Sequence, residues 1–277
     1  MNRIIFDFGA NQGQNINYFL ERADYLICVE ANNQLCEKMR EKYKTNIDSG
    51  SLFVENYAVS NQEFEKKVFY INKIKDGHSQ LTKPKMLENY IETQVETIKA
   101  SSLIKKYLNK FNSDLAHYIK IDVEYIDHII LKDILSSNIN FNYISCESHT
   151  SLVLNEIIQS KLRLFKIVQG KDVKNLNYMN SNKEKINFAH HSSGPFGNDI
   201  NGKWINKSSL ITYFVNKGFG WKDICCTYLE EENIENELIY DNSVHNPPRL
   251  GFFFHLKRLY PEFIKSLKTI LKLNKKK

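Results

Sequence analysis

Residues 3–20 read RIIFDFGANQGQNINYFL, and residues 27–33 read ICVEANN. The first stretch runs from an apolar segment into a turn with two glycines, Gly9 and Gly13, and then into a segment of helical length. The second apolar segment ends in an acid, Glu30. In doubly wound sheets a ligand lies outside the carboxyl ends of the strands, where a glycine turn allows close approach and an acid binds ribose hydroxyls. The two stretches therefore predict a nucleoside-binding strand–turn–helix unit.

Strand and helix patterns alternate along the rest of the first half of the chain. HYIKIDVE at 117–124 and FNYISCE at 141–147 are buried strand patterns, and the segment between them places Ile126, Ile130 and Ile134 on one helix face. Such alternation predicts an α/β fold of the Rossmann-like kind, with a mostly parallel sheet and helices on both faces. We also expect a β-hairpin insertion after strand three and a polar insertion before the last strand.

Composition divides the chain into three parts. Residues 1–169 carry the alternating pattern and form the predicted cofactor-binding core. Residues 170–248 are rich in Asn, Ser and Gly and form a predicted substrate-side insertion or cap. Residues 249–277 contain a predicted last strand, RLGFFFHL, and then a basic amphipathic helix. That helix is suited either to packing on the domain or to weak contact with an anionic membrane surface.

The formal charge of +6 is concentrated at the C-terminus. Residues 256–277 hold eight Lys or Arg and one Glu, a net +7, which leaves −1 for the rest. A nearly neutral body argues against nucleic acid as the partner. The five cysteines lack metal-ligand spacing, no run of eighteen apolar residues occurs, and no charged-then-apolar leader precedes the first strand. We therefore expect a cytoplasmic protein with reduced thiols.

The glycine spacing favours one nucleoside ligand over another. A dinucleotide fingerprint reads G-x-G-x-x-G, whereas the turn here reads G-x-x-x-G with an acid, Asp7, two residues before its first glycine. This spacing fits S-adenosylmethionine better, since that ligand needs no pyrophosphate site at the helix N-terminus. An NAD-dependent oxidoreductase remains the alternative, because Glu30 follows Gly13 at nearly the spacing of that fingerprint.

Charged side chains end several of the predicted strands. Alternation along YIKIDVE places Lys120, Asp122 and Glu124 on one face, and Glu147 and His149 close the next strand. Charges inside a sheet are costly unless they are paired or serve a site. Acids that close four neighbouring strands at one rim therefore predict a functional site.

Four motifs, FDFGANQGQN, VEAN, IKIDVE and ISCESH, resemble in this order and spacing the FkbM family of methyltransferases. SGPFGNDINGKW and GWKDI are similar to segments in the C-terminal part of some members, so the likeness covers most of residues 3–226. The family usually has a glycine where this chain has Tyr125 and an acid where it has Asp127. The resemblance implies a class I methyltransferase fold that uses S-adenosylmethionine and acts mainly on hydroxyl groups, often of sugars or polyketides.

The motifs yield a set of predicted site residues. The residues expected to contact the cofactor are Asp7, Gly9, Ala10, Asn11, Gly13, Glu30, Ala31, Asn56, Asp122 and Glu124. The candidates for the base that takes the hydroxyl proton are Asp122, Glu147 and His149. The residues expected to contact the substrate are His78, Ser79, His190, His191, Asn198 and Lys203. We predict no resident metal, although Asp122 and Glu147 could instead hold a divalent cation.

The function predicted from these features is methyl transfer from S-adenosylmethionine to a sugar hydroxyl. The expected acceptor is a small molecule, a nucleotide-activated sugar used for a capsular polysaccharide or lipopolysaccharide, whose diphosphate the polar insertion would bind. The alternatives are a non-sugar acceptor, the NAD-dependent oxidoreductase, and a catalytically silent binding module on the same fold.

Overall fold

The computed structural model describes residues 2–229 of the 277-residue chain. In chain order, the strands are β1 Ile4–Phe8, β2 Tyr25–Val29, β3 Leu52–Glu55, β4 Ala58–Ser60, β5 Lys66–Asn72, β6 Tyr90–Lys99, β7 Leu115–Ile121, β8 Asn140–Glu147, β9 Leu164–Gln169, β10 Asn177–Met179, β11 Lys185–Asn187 and β12 Lys222–Thr227. The helices are α1 Ile16–Leu20, α2 Asn33–Lys42, α3 Lys44–Asp48, α4 Ala100–Lys110, α5 Asp127–Ser136, α6 Ser151–Gln159 and α7 Lys207–Lys217.

The described residues belong to two compact units. The first comprises residues 2–207 and 220–229, and the second comprises residues 208–219, which form most of α7. The core and the rim of the sheet described below lie in the first unit. No helix of residues 2–229 combines the length and apolar character that a membrane crossing requires.

A seven-stranded sheet forms the centre of the first unit. Its order is β3-β2-β1-β7-β8-β12-β9, and β12 runs antiparallel to both of its neighbours while the other pairs are parallel. The chain fills the sheet outward from β1 in one direction and then restarts at β7 on the other side of β1. This reversal between β1 and β7 is the place where open α/β sheets bind ligands. The predicted mostly parallel α/β fold is confirmed.

Alternation along the strands sends two different sets of side chains to the two faces. On one face, Ile5, Leu26 and Tyr118 pack in the core that includes α1 and α2. On the other face, Phe6 contacts Tyr107 of α4 at a ring-centroid distance of 6.5 Å. Because both faces are covered by helices, the strands are buried almost throughout, as expected for parallel sheets.

The β-hairpin insertion predicted after the third strand is confirmed. β5 and β6 pair antiparallel over seven residues, from Lys66 with Glu96 to Asn72 with Tyr90. Residues 73–89 connect the two strands and carry a 3-10 turn at Asp76–His78. β4 joins the other side of β6, which makes a separate three-stranded sheet.

The segment before β12 is less polar in its packing than its composition indicates. Phe196 stacks on Tyr118 of β7 with ring centroids 4.0 Å apart, and Trp204 stacks on Tyr143 of β8 at 5.9 Å. Residues 192–197 are buried, so this part of the insertion covers one face of the sheet instead of forming a solvated loop. Burial of its aromatic rings stabilises the contact by about 25 cal/mol per Å².

The sequence pattern missed β12. This strand lies within residues 170–248, the range assigned to the insertion, but it pairs with β8 and β9 inside the main sheet. The polar insertion therefore ends before β12 and comprises residues 170–206. The predicted strand at 249–256 and the predicted basic helix lie outside the described residues.

All five cysteines are buried and unpaired, as predicted.

Candidate functional site

The turn after β1 can be made only by glycine at its first position. Gly9 has φ +80°, and a Cβ on it would lie 1.7 Å from the carbonyl oxygen of Asp122. The N–H groups of Gly9 and Ala10 both donate to the carbonyl oxygen of Val29, at 2.9 and 3.0 Å. The loop is thereby held between the ends of β2 and β7. Any side chain at Gly9 would push the loop away from both strands.

Gly13 serves a different purpose in the same loop. Its φ is +75°, and a Cβ there would lie 2.7 Å from the side chain of Ile16 and 3.2 Å from that of Met39. The absence of a side chain lets α1 approach α2 closely. Gly13 was predicted as a cofactor contact. In the structure, it allows the close helix packing behind the loop.

Glu30 holds the open end of this loop with its carboxylate. One oxygen accepts the N–H of Asn11 and the other accepts the N–H of Asn32, both at 2.8 Å. Burial raises the pKa of Glu30, and the two backbone hydrogen bonds oppose that shift. Asn11 sits in the left-handed region with φ +50°, and its buried Oδ1 has no hydrogen-bond partner among the described residues. An acceptor without a donor at this point suits the hydroxyl or ammonium group of a bound nucleoside.

Asn56 supports the turn after β2. Its side-chain NH₂ donates to the carbonyl oxygens of Glu30 and Ala31, at 2.9 and 3.0 Å. This amide group therefore fixes the backbone on which Glu30 is carried. The predicted cofactor contacts Glu30, Ala31 and Asn56 are brought together in one place.

Lys120 is a buried cation between β1 and β7. Its Nζ lies 2.9 Å from Asp7 Oδ1 and 3.3 Å from Asp122 Oδ2, and it donates to the carbonyl oxygen of Gly9 at 3.0 Å. Burial acts to lower the pKa of Lys120, but Asp122 and Asp7 raise it above its ordinary value. Burial raises the pKa of Asp7, and Lys120 opposes the rise. Asp7 was predicted as a cofactor contact; it is fully buried and faces this ammonium group instead.

Two further acids follow Asp122 at the end of β7. Burial, followed by repulsion from Asp122, raises the pKa of Glu124 to about 8. Burial also raises the pKa of Asp127 to about 7, against a hydrogen bond from the N–H of Val123 at 2.9 Å. Glu124 and Tyr125 both have positive φ, 45° and 71°. A backbone held in this region without glycine is strained, and such strain is characteristic of functional loops.

The end of β8 carries the acid–histidine pair. Oε1 of Glu147 lies 2.9 Å from Nε2 of His149, whose side chain is 46% exposed while that of Glu147 is 6% exposed. Burial, followed by Asp122, raises the pKa of Glu147 well above its ordinary value, whereas burial lowers the pKa of His149. Both shifts favour the uncharged forms of the pair. The imidazole thus remains open to solvent while its partner is enclosed.

The residue that sequence reasoning missed here is Asp223. It pairs in register with Glu147 across β8 and β12 and is 3% exposed, and its Oδ1 has no partner among the described residues. Burial, followed by Asp122, raises its pKa well above the ordinary value. A lone acid in the apolar run KDICC is the signal that could have found it. Within residues 2–229, no group of three or more His, Cys, Asp or Glu is arranged to hold a metal ion.

The predicted substrate residues fall into two places. His190 and His191 have ring centroids 3.8 Å apart. Burial, followed by basic neighbours that include His78, lowers the pKa values of His191 and His149. Asn198 instead accepts the indole N–H of Trp204 at 3.1 Å on the face of the sheet, and Lys203 is close to it in the chain. Asn198 is thus engaged on the face of the sheet, and the substrate contact of Lys203 stays a prediction.

Ser79 also has a local role. Its hydroxyl accepts the N–H of Asn72 at 3.1 Å and so closes the end of β5. The loop that carries it does reach the cofactor side, because a Cβ on Gly77 would lie 3.3 Å from Nδ2 of Asn11. His78, the residue next to Gly77, is therefore placed at the rim by its loop.

Three features together define a class I, S-adenosylmethionine-dependent methyltransferase. They are the sheet order with one antiparallel strand, the glycine turn over β1 and the acid that closes β2. A family model described as "Methyltransferase FkbM domain" matches residues 7–165. The chain belongs to this family. The resemblance seen in the four motifs is confirmed, and the NAD-dependent alternative is not supported.

Several solved structures are similar to the chain at low identity. The N-terminal domain of human METTL16 with SAH has 7% identity and a TM-score of 0.35, over 83% of this chain and 63% of that one. The precorrin-6y C5,15-methyltransferase of Geobacter metallireducens has 9% identity and a TM-score of 0.34, over 83% and 80%. Residues 942–1257 of StiE O-MT have 10% identity and a TM-score of 0.33, over 63% and 50%. The chain thus spans less than two thirds of the METTL16 domain and of the StiE fragment. No curated protein matches.

The residues of the β1–β2 side fit the cofactor, S-adenosylmethionine. Glu30 offers carboxylate oxygens beside the turn, Asn11 offers an acceptor that lacks a donor, and Gly9 leaves the backbone bare. Glu30 and Asn11 would hold the nucleoside. Asp122 lies at the junction of β1 and β7, where its N–H donates to the carbonyl oxygen of Phe8 at 3.1 Å and its carboxylate pairs with Lys120.

Proposed function

We propose that the protein transfers a methyl group to a hydroxyl of a sugar, and that the acceptor is a nucleotide-activated sugar used for a capsular polysaccharide or lipopolysaccharide. The observation that carries the proposal is the pair of His149 and Glu147, 2.9 Å apart at the end of β8. A sugar hydroxyl is a poor nucleophile and needs its proton removed as the new bond forms. An exposed imidazole backed by a buried carboxylate is suited to that task.

The cofactor, when bound, supplies a methyl group on a sulfonium. The protein's own residues then align the reactants and transfer the proton. Positioning alone can lower the activation barrier by about 7–11 kcal/mol. Once Glu147 has lost its proton, its carboxylate orients the imidazole, and His149 accepts the hydroxyl proton while the carboxylate takes part of the positive charge. Lys120 holds Asp122 at the end of β7. A nucleotide-activated acceptor would be met in the cytoplasm, where such sugars are made.

The test begins with a screen. The purified protein is incubated with S-adenosylmethionine and a panel of nucleotide sugars, free sugars and non-sugar hydroxyl compounds, and mass spectrometry detects the gain of one methyl. Methylation of nucleotide sugars supports the proposal. Methylation of non-sugar hydroxyl compounds alone would replace it with the non-sugar alternative, and no methylation of any hydroxyl would contradict it.

The role of the pair is tested by the pH dependence of kcat/KM. The base form requires the pair to lose a proton, and burial raises the pKa of Glu147, so activity should rise with pH well above the ordinary carboxylate range. In Glu147→Gln the remaining group is His149, whose pKa burial lowers, so the inflection should move below the ordinary histidine value. His149→Gln should reduce kcat by about 10²–10⁴-fold.

Two variants serve as controls for the pair. His117→Gln changes a histidine on β7 that contacts Phe196 on the sheet face, and it should leave the pH profile unchanged. Asp122→Asn keeps the shape of the other candidate base. If Asp122→Asn abolished turnover while His149→Gln did not, Asp122 would be the base and His149 would not.

A further inference from the structure

Four separate segments carry basic side chains near the rim beyond His149, and Trp221 joins three of these segments. These side chains come from the β5–β6 loop, the end of β9, the insertion and the start of β12. We call them the basic rim cluster, and its members are Lys75, His78, Lys171, His190, His191 and Lys222.

Trp221 joins three of these segments. The N–H of Gly170 donates to its carbonyl oxygen at 3.0 Å, and a Cβ on Gly170 would lie 2.2 Å from the indole ring. The ring of His191, a residue with φ +64°, stacks with the indole at a centroid distance of 5.4 Å and 28°. Trp221 therefore holds His191 beside the chain positions that carry Lys171 and Lys222.

The cluster is tied to both sides of the reaction site. The N–H of Ser148, the residue before His149, donates to the carbonyl oxygen of Lys222 at 2.7 Å. On the opposite side, Ser192 donates its hydroxyl to Asn15 at 2.6 Å, immediately behind the cofactor turn. A ligand that occupies the cluster would therefore extend toward the acid–histidine pair.

The members of the cluster repel one another. Burial, followed by repulsion from the other two histidines of the cluster and from Lys75, lowers the pKa of His191. Burial, followed by repulsion from Lys171, lowers the pKa of Lys222. Cations that are assembled from separate segments against their own repulsion are stabilised by a bound anion.

We propose that the basic rim cluster binds the diphosphate of the acceptor, with Trp221 as the residue that positions His191 for that contact. The inference rests on the proposed function, because it takes the sugar next to the diphosphate to be the group that His149 deprotonates. The diphosphate is the chemistry shared by nucleotide-linked and lipid-linked sugars. The acids Asp122 and Glu147 lie on the methyl-transfer side. They would repel the negatively charged diphosphate, which is therefore expected to bind away from them.

The experiment measures binding of inorganic pyrophosphate and of UDP by calorimetry, with the protein saturated with S-adenosylhomocysteine. The double variant Lys75→Gln/Lys171→Gln changes two exposed side chains, so it should fold normally. It should weaken both probes about tenfold or more, since a hydrogen bond to a charged group contributes on that scale. Lys132→Gln, an exposed lysine on α5, is the matched control and should change nothing.

The two probes separate the sources of the diphosphate. Tighter binding of UDP than of pyrophosphate supports a nucleotide-linked acceptor, and equal binding supports recognition of the diphosphate alone, as in a lipid-linked acceptor. Trp221→Phe should weaken both probes while leaving affinity for S-adenosylhomocysteine unchanged. Failure of both probes to bind, or full affinity in the double variant, would overturn the inference. Methylation of a free sugar in that case would leave methyl transfer to a sugar hydroxyl standing and would remove the nucleotide from the acceptor.

Discussion

The two halves of the rim differ in how their polar groups are satisfied. On the β1–β2 half, Glu30 accepts two backbone N–H groups, and Asn56 donates to the two carbonyl groups that follow β2. On the β8–β12 half, the neighbouring acids Glu147 and Asp223 are buried side by side, and Asp223 has an oxygen without a partner among residues 2–229. The first half is held by hydrogen bonds to the backbone and leaves Oδ1 of Asn11 for a ligand, whereas the second half holds titratable groups whose pKa values are strongly shifted.

This difference matches two different tasks. A cofactor that is the same in every turnover is best bound by fixed backbone groups, which lose little entropy on binding. Proton transfer needs groups whose pKa values are moved toward the working pH, and burial of acids next to one another does that. Lys120 stands between the halves, with Asp7 and Gly9 on one side and Asp122 on the other.

Removal of Lys120 should produce the largest effect, because it breaks both halves at once. Lys120→Met leaves Asp7 buried without its cation, which should cost about 3–5 kcal/mol of unfolding free energy. Denaturant unfolding measures this change. The double variant Asp7→Asn/Lys120→Met removes both charges and should recover most of the loss; if it recovers none, the ion pair is not the source of the effect.

Glu30→Ala should break the cofactor half alone. It should weaken S-adenosylmethionine by about 1.5–3 kcal/mol, the range for a hydrogen bond to a charged group, and calorimetry measures this directly. The matched variant on the other half, His190→Ala/His191→Ala, should leave cofactor affinity unchanged and raise KM for the nucleotide sugar. Equal cofactor affinity in Glu30→Ala and the native protein would mean that Glu30 is not the ribose ligand.

Glu124→Gln changes an acid that follows β7, and its expected effect on stability is smaller than the effects above. The pKa of Glu124 in the folded protein is raised to about 8, so its contribution to stability is present at low pH and is lost as pH rises through that value. Because this side chain is partly exposed, we expect a loss of about 1–2 kcal/mol between pH 5 and pH 9. In Glu124→Gln the fall in unfolding free energy over this interval, measured by denaturant unfolding at each pH, should be smaller by that amount. Parallel curves for the two proteins would contradict the assignment.

The parts of the fold that could be predicted are those with a strong local pattern. β1, β2, β7 and β8 are buried runs bounded by turns, and the face of Ile130 and Ile134 on α5 follows helical spacing. β12 was missed because KDICCT mixes a lysine and an acid into a short apolar run, and its partners lie more than 50 residues earlier in the chain. The burial of residues 192–197 was missed because Ser and Gly indicate loops unless distant aromatic rings cover them.

The sequence by itself determined the family, the cofactor and the ring of acids at the rim. These follow from motifs in which each residue acts on its own turn or strand end, such as Gly9, Glu30 and Asp122. Only the tertiary structure showed that Asp7 serves Lys120, that Asp223 lies beside Glu147, and that His191 stacks on Trp221, the residue before Lys222. The reason is physical: these pairings join segments that are distant in the chain, and their partners are chosen by sheet order and burial, which no local pattern of residues encodes.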